Sequence, residues 1–321
     1  MRHTAFRVRL PLTLFLALLA CAALLCGCGS GEPKAQPQND VKGAANNWMA
    51  EMEAAEKAGE TDAAVAVCRK AAEQGVVSAQ WILGSRYFRG LGVKQSYAEA
   101  AKWFRMAADA GHAGAQFALG DMYATGHGLP QDNAQALQWW ALSAKNGDSG
   151  AMYNLGLAYR DGVMAPRDQA ASLAWLEQAV KHGNPYAQHD LAVMFRDGAG
   201  APQDSARALE LFTRAAERDH TGAQAALGQM YYKGQGVKQD LIAASMWFAL
   251  AAEGGDKSAQ LSRSIIAPSL SEAQLAQVDE LKKRWKAEHL PDPVPAQAAN
   301  ETGKDAQGAS KDAKGKGGGH G

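Results

Sequence analysis

A few residues are of types that could do chemistry. Cys68 is the one cysteine beyond position 28, so it has no second thiol for a disulfide or a cysteine-based metal site. As a nucleophile it would have to be an exposed, activated thiolate. Gly147-Asp148-Ser149-Gly150 has the local form of a serine nucleophile, which needs a base and an oxyanion hole held by a surrounding fold. Eight histidines raise the question of a metal, yet no H-E-x-x-H or Cys/His spacing accompanies them. His112, His127 and His220 read as surface residues in turns and loops. Gly303-Lys304 lacks the strand and the full spacing of a phosphate-binding loop. No pair of carboxylates stands apart from positions that recur along the chain. The expectation is no catalytic residue, no metal and no cofactor.

These residues are better explained by a period. Ala79-Gln80 recurs as Ala115-Gln116, Ala187-Gln188, Ala223-Gln224 and Ala259-Gln260, with Ala151-Met152 between, and the spacing is 36 throughout. In the same register stand Leu83, Leu119, Leu155, Leu191 and Leu227, then Gly84, Gly120, Gly156 and Gly228, with Ala192 as the exception. Tyr87, Tyr123, Tyr159, Phe195 and Tyr231 follow. Cys68 lies 36 residues before Phe104, at a position also held by Trp140, Leu176, Phe212 and Phe248, so it reads as a small buried apolar residue. Asp148-Ser149 lies in the turn between units, in register with His112-Ala113.

Each unit predicts two helices. Ala79, Leu83, Gly84 and Tyr87 fall on one helical face. A glycine inside a helix costs about 1 kcal/mol relative to alanine, so Gly84 implies that a second helix crosses closely there. Gly90 and Gly92 end the first helix. Ser96, Asp132, Asp168, Asp204 and Asp240 are N-caps for the second, whose oxygens can satisfy free N–H groups of the first turn. Trp103, Phe104, Ala107 and Ala108 form its apolar face, and Gly111, Gly147, Gly183 and Gly255 close the unit, with Asp219 as the exception. Outside the full units, 44–76 reads as N-terminal capping helices. Residues 268–290 read as a C-terminal capping helix, opened by a capping box at Ser269-Leu270-Ser271-Glu272 and carrying Leu275, Val278, Leu281 and Trp285 on one stripe.

The pattern A-Q-x-x-L-G-x-x-Y-x-x-G-x-G, followed by the capped second helix, resembles the Sel-one-like repeat, a relative of the tetratricopeptide repeat. The resemblance covers about 77–267, as five full units and a partial one. It implies an all-α fold, a right-handed α-solenoid of antiparallel helix pairs with 36-residue repeats. It also implies a non-catalytic scaffold or adaptor that binds a protein partner, with the chain itself a monomer.

By the same resemblance, one phase of the first helix faces the concave groove. It holds Trp81, Phe117, Tyr153 and His189, followed by Ala225 and Leu261. Neighbouring groove phases carry Ser85 and Asp121, then Phe88, Arg160, Arg196 and Tyr232, with Arg89 beside them. Aromatic and arginine side chains are the usual anchors of protein recognition. Two readings of this ladder stand side by side: groove anchors for a partner segment, or packing between adjacent units. Two other functions carry less support. An aromatic groove could stack on peptidoglycan or another glycan. Some cysteine-rich relatives have been linked to β-lactam hydrolysis, but they carry a disulfide in each repeat. This chain has none, and it lacks an S-x-x-K with K-T-G spacing.

The N-terminus reads as an address. Arg2, Arg7 and Arg9 precede an apolar run over 10–25, the layout of a secretory signal peptide. Leu25-Cys26-Gly27-Cys28 resembles a bacterial lipobox, which makes Cys28 the lipidation site and 1–27 the signal peptide; Leu18-Leu19-Ala20-Cys21 is a second candidate. Residues 28–43 suit a flexible tether, and 291–321, made largely of Pro, Ala, Gly, Lys and Asp, are expected to be disordered. Membrane attachment through the N-terminal lipid follows, on the periplasmic side of a bacterial envelope. Gly29 after the lipid cysteine leans toward the outer membrane. Lys+Arg and Asp+Glu are equal at 33 each, which speaks against a nucleic-acid partner. Loss of the three arginines with the signal peptide leaves 30 bases against 33 acids, a slight acidity.

Overall fold

The computed structural model describes residues 47–289, and the expected signal peptide, Cys28, the tether and the tail lie outside them. Among the described residues there are fourteen α-helices and no strand. Helices α1 (Trp48–Lys57) and α2 (Thr61–Glu73) precede five helix pairs. The pairs are α3 (Val77–Arg89) with α4 (Tyr97–Asp109), α5 (Ala113–Thr125) with α6 (Asn133–Lys145), α7 (Ser149–Asp161) with α8 (Gln169–Lys181), α9 (Pro185–Asp197) with α10 (Ser205–Ala216), and α11 (Thr221–Lys233) with α12 (Leu241–Glu253). Helix α13 (Lys257–Ile266), a short 3₁₀ turn and α14 (Glu272–His289) follow. From α1 to α13 each helix packs on its neighbours in sequence, and α14 returns onto α12. This is an all-α solenoid, built as the period predicts. Among the described residues no helix is long and apolar enough to cross a membrane.

The N-caps form as read: the side chains of Ser96, Asp132, Asp168, Asp204 and Asp240 all accept backbone N–H groups of the turn they open. The helix-interior glycines are contact points. A Cβ on Gly84 would lie 2.6 Å from Phe104 Cδ1, and one on Gly120 2.3 Å from Trp140 Cδ1. The large residue of the second helix therefore sits on the bare backbone of the first. Cys68 takes that position in α2; it is fully buried, and its Sγ donates to the Ala79 carbonyl at 3.6 Å. Burial pushes the thiol up to about 11, against the nearby Arg86 charge, so it is an inert packing residue.

In the first two repeats the recurrent glutamine ties units together. Gln80 Nε2 donates to the Ala72 carbonyl at 3.2 Å and Gln116 Nε2 to the Ala108 carbonyl at 3.0 Å, so each satisfies a carbonyl near the end of the preceding second helix. Asp219 replaces the closing glycine and keeps its left-handed backbone at φ 57°; its Oδ1 accepts Gln224 Nε2 at 3.2 Å. The C-terminal capping box is displaced by two residues from the sequence reading. Ser271, not Ser269, is the cap: Gln274 N–H donates to Ser271 Oγ at 3.3 Å, and Ser271 N–H donates to Gln274 Oε1 at 2.9 Å. Ser269 belongs to the 3₁₀ turn through Pro268, which delays the helix. Val278 is fully buried and Trp285 meets the Trp247 ring at 4.6 Å, so the predicted stripe closes the core.

Candidate functional site

The aromatic ladder divides into two different environments. At its N-terminal end α3 and α5 stand side by side around a cavity of about 390 Å³. Trp81, Ser85, Phe88 and Arg89 come from α3, spaced to share one face; Phe104 comes from α4, Phe117 and Asp121 from α5, and His127 from the loop after it. Trp81 is half-buried, with its ring 5.1 Å from Phe104 and stacked 5.2 Å from His112. The lack of a side chain at Gly114 lets that indole lie over the first turn of α5; a Cβ there would be 3.4 Å from Trp81 Cζ2. Trp81 packs against the neighbouring rings and also lines the open cavity.

Asp121 is the acidic wall. Its Oδ1 accepts from Trp140 Nε1 at 2.9 Å and from Asn154 Nδ2 at 3.1 Å. Burial pushes its carboxyl up to about 6, helped by the Asp148 charge and resisted by the two hydrogen bonds. Among the described residues no cation lies within 4.0 Å of it, and Arg89 across the cavity is exposed and makes no ion pair.

Further along, the ladder satisfies itself. Arg160 Nη1 and Tyr153 Oη donate to Asp190 Oδ2 at 3.0 and 3.1 Å, while His189 Nδ1 lies 3.0 Å from Asp190 Oδ1. Burial raises the Asp190 carboxyl, but the His189 and Tyr153 hydrogen bonds and the Arg160 charge outweigh it and hold it below its ordinary value. The Tyr153 hydroxyl, buried beside that carboxylate, is pushed up to about 12. Arg196 is closed on Asp197 at 2.7 Å, with its guanidinium 5.9 Å from the Phe212 ring. Tyr232, at 42% exposure, stands alone in the next unit. The structure thus gathers Trp81, Phe88, Arg89 and Phe117 at one cavity, gathers Tyr153, Arg160 and His189 on Asp190, and leaves Arg196 and Tyr232 apart. Asp190 escaped the sequence reading. Its signal was an acid in a phase held elsewhere by Ile82, Ala118, Asn154 and Ala226.

His112 and His220 are not the plain surface residues expected. Both are half-buried N-caps: Nδ1 of His112 accepts Ala115 N–H at 3.2 Å, and Nδ1 of His220 accepts Ala223 N–H at 3.1 Å. The register explains this, because Asp148, Asn184 and Asp256 cap the same turn elsewhere. A protonated Nδ1 cannot accept. Burial, and then the charge of His189 stacked 4.7 Å away, push His220 below 6.5, against the pull of Asp190. A depressed pKa gives stability that is present above the unfolded value and lost as pH falls through the folded one. His220→Asn, borrowing the Asn184 cap, should therefore be less acid-sensitive than the parent, by about 1 kcal/mol between neutral pH and about pH 5. Urea unfolding midpoints at the two pH values check this.

Asp148 of the apparent serine motif accepts Ala151 N–H at 2.8 Å as a helix cap, and Ser149 begins α7. Among the described residues no group of three or more His, Cys, Asp or Glu is placed to hold a metal ion.

Tandem helical hairpins stacked in register, with a cavity between their first helices, define an α-solenoid repeat protein. The Sel1 repeat model matches five consecutive stretches, 77–112, 113–148, 149–184, 185–220 and 221–256, more than half of the chain, and the chain belongs to the Sel1 repeat family. The solved Sel1 repeat protein of Oxalobacter formigenes is 26% identical with a TM-score of 0.64, over 73% of this chain and 98% of that one. The structure of c5321, described as a protective antigen of uropathogenic Escherichia coli strains with an SLR fold, is 25% identical with a TM-score of 0.48, over 84% of this chain and 66% of that one. No curated protein matches the chain. Sel1 repeat proteins are in general scaffolds for protein interaction.

Proposed function

We propose that this chain is a non-catalytic scaffold of the bacterial envelope, tethered by lipid on Cys28, which takes a partner protein's segment at the cavity between α3 and α5. The observation that carries the groove is the open aromatic cavity with Arg89 and Asp121 at its walls, both without ion pairs among the described residues. Arg160 and Arg196, by contrast, are neutralised by the chain's own carboxylates, so the anchoring role contracts from the whole ladder to its first step. Exposed aromatic and arginine groups in a concave site are where binding free energy concentrates. The tether rests on the lipobox-like Leu25-Cys26-Gly27-Cys28, and the preference for the outer membrane on Gly29.

A photo-crosslinker at Ser85 in the envelope-bound chain should give a defined protein adduct. The adduct should disappear with Trp81→Ala plus Arg89→Ala, at unchanged helicity by circular dichroism, and persist with Tyr232→Ala. An adduct indifferent to the double variant would refute the groove, and an adduct with glycan strands alone would replace the protein partner. Incorporation of labelled palmitate lost in Cys28→Ala and kept in Cys21→Ala would support the tether; the reverse moves it to Cys21.

A further inference from the structure

Within the groove the wall charges differ in how they are held. Asp190, Asp161 and Asp197 each face an arginine, whereas Asp121 is held by neutral donors alone, the Trp140 indole and the Asn154 amide. Both donors engage Oδ1. They fix the carboxylate's orientation and leave Oδ2 without a donor among the described residues. The rings of Trp81, Phe104 and Phe117 line the same cavity as Asp121. A carboxylate partly desolvated beside aromatic faces is stabilised by a cation, since the charge is neutralised and the ring faces add their own attraction.

We propose that this cavity takes a lysine side chain of the partner segment, its ammonium on Asp121 and its methylenes along Trp81 and Phe117. The assignment deepens the groove reading above and rests on it. A lysine fits better than an arginine on geometric grounds. An ammonium is a compact charge that can sit on one oxygen, whereas the guanidinium fork is best used against two, and Oδ1 is already engaged. The long aliphatic stem of lysine suits apolar walls with a polar end. Arg89 sets the context of that lysine. It repels a second cation and favours an acidic neighbour, so a segment pairing lysine with an acid is selected over a generally basic one.

The test uses the full chain in detergent, labelled with fluorotryptophan, and three capped peptides, Ala-Lys-Glu-Ala and its norleucine and arginine counterparts. Fluorine NMR follows Trp81 and Trp140. The lysine peptide should shift both signals saturably and bind about tenfold more tightly than the norleucine peptide at neutral pH, the effect of one modest ion pair. That preference should vanish in Asp121→Asn, which keeps an acceptor for Trp140, and should fade as pH falls below about 6, where Asp121 protonates. Equal or tighter binding of the norleucine or arginine peptide overturns the lysine assignment, as does a preference that survives Asp121→Asn or a lysine peptide that moves neither signal. These results leave the crosslinking test of the groove untouched, so the two failures are distinguishable.

Discussion

Gly120→Ala is expected to lower stability by about 2 kcal/mol, although alanine is the better helix former by about 1 kcal/mol. The methyl group would lie 2.3 Å from Cδ1 and 2.5 Å from Nε1 of Trp140. That indole cannot swing away, because it is only 5% exposed and its Nε1 donates to Asp121 at 2.9 Å. Either the ring shifts and loses the hydrogen bond, or α5 and α6 move apart. The opposite change at the register's exception should also be unfavourable: Ala192→Gly removes a fully buried methyl and a helix-favouring residue, for a loss of about 1 kcal/mol. Urea unfolding of the two variants checks the sign and size. Because a repeat array transmits stability mainly between neighbours, hydrogen exchange after Gly120→Ala should accelerate first in α5 and α6. A Gly120→Ala variant as stable as the parent would mean that the crossing is not close-packed.

This crossing also shows what the sequence could and could not reveal. A period of 36 with a glycine in every first helix but one makes the close approach legible, because only a contact makes such a glycine tolerable inside a helix. Caps are legible for the same reason, as their chemistry is local. The groove was only half legible. A phase assigns side chains to a face, but it does not say which of them are already satisfied by a neighbour 30 residues away. Arg160 and Arg196 share one phase of the ladder and each closes on the aspartate beside it, Asp161 or Asp197, yet Arg160 alone also reaches Asp190 of the next unit. Pairing across units depends on side-chain reach, which periodicity does not encode. The histidine caps show the reverse case. Their role was in the register, shared with Asp148 and Asn184, but residue type suggested a surface or metal role instead.

The unpaired wall of the groove has a consequence for the empty protein. Asp121→Asn should stabilise the chain at neutral pH by about 1–2 kcal/mol. Burial and the Asp148 charge raise the carboxyl from 3.8 to about 6, and each unit corresponds to about 1.4 kcal/mol. Partial exposure reduces the full value. The sign runs opposite to the usual acidic residue. With a folded pKa above the unfolded one, the native state holds its proton more tightly, so the contribution is fully present below about 4 and lost as pH rises through about 6. Asparagine does not titrate, and its amide oxygen can still accept from Trp140 and Asn154. The gap between variant and parent should therefore be near zero at about pH 4, open through about pH 5 and level off by about pH 7. Urea unfolding at those pH values checks this, and a gap of constant size would show that Asp121 is not held against its charge. A cation bound at Asp121 would offset the same penalty. The parent should therefore gain more stability from the lysine peptide than Asp121→Asn does, and a groove that is destabilising when empty is a groove whose occupancy the fold can register.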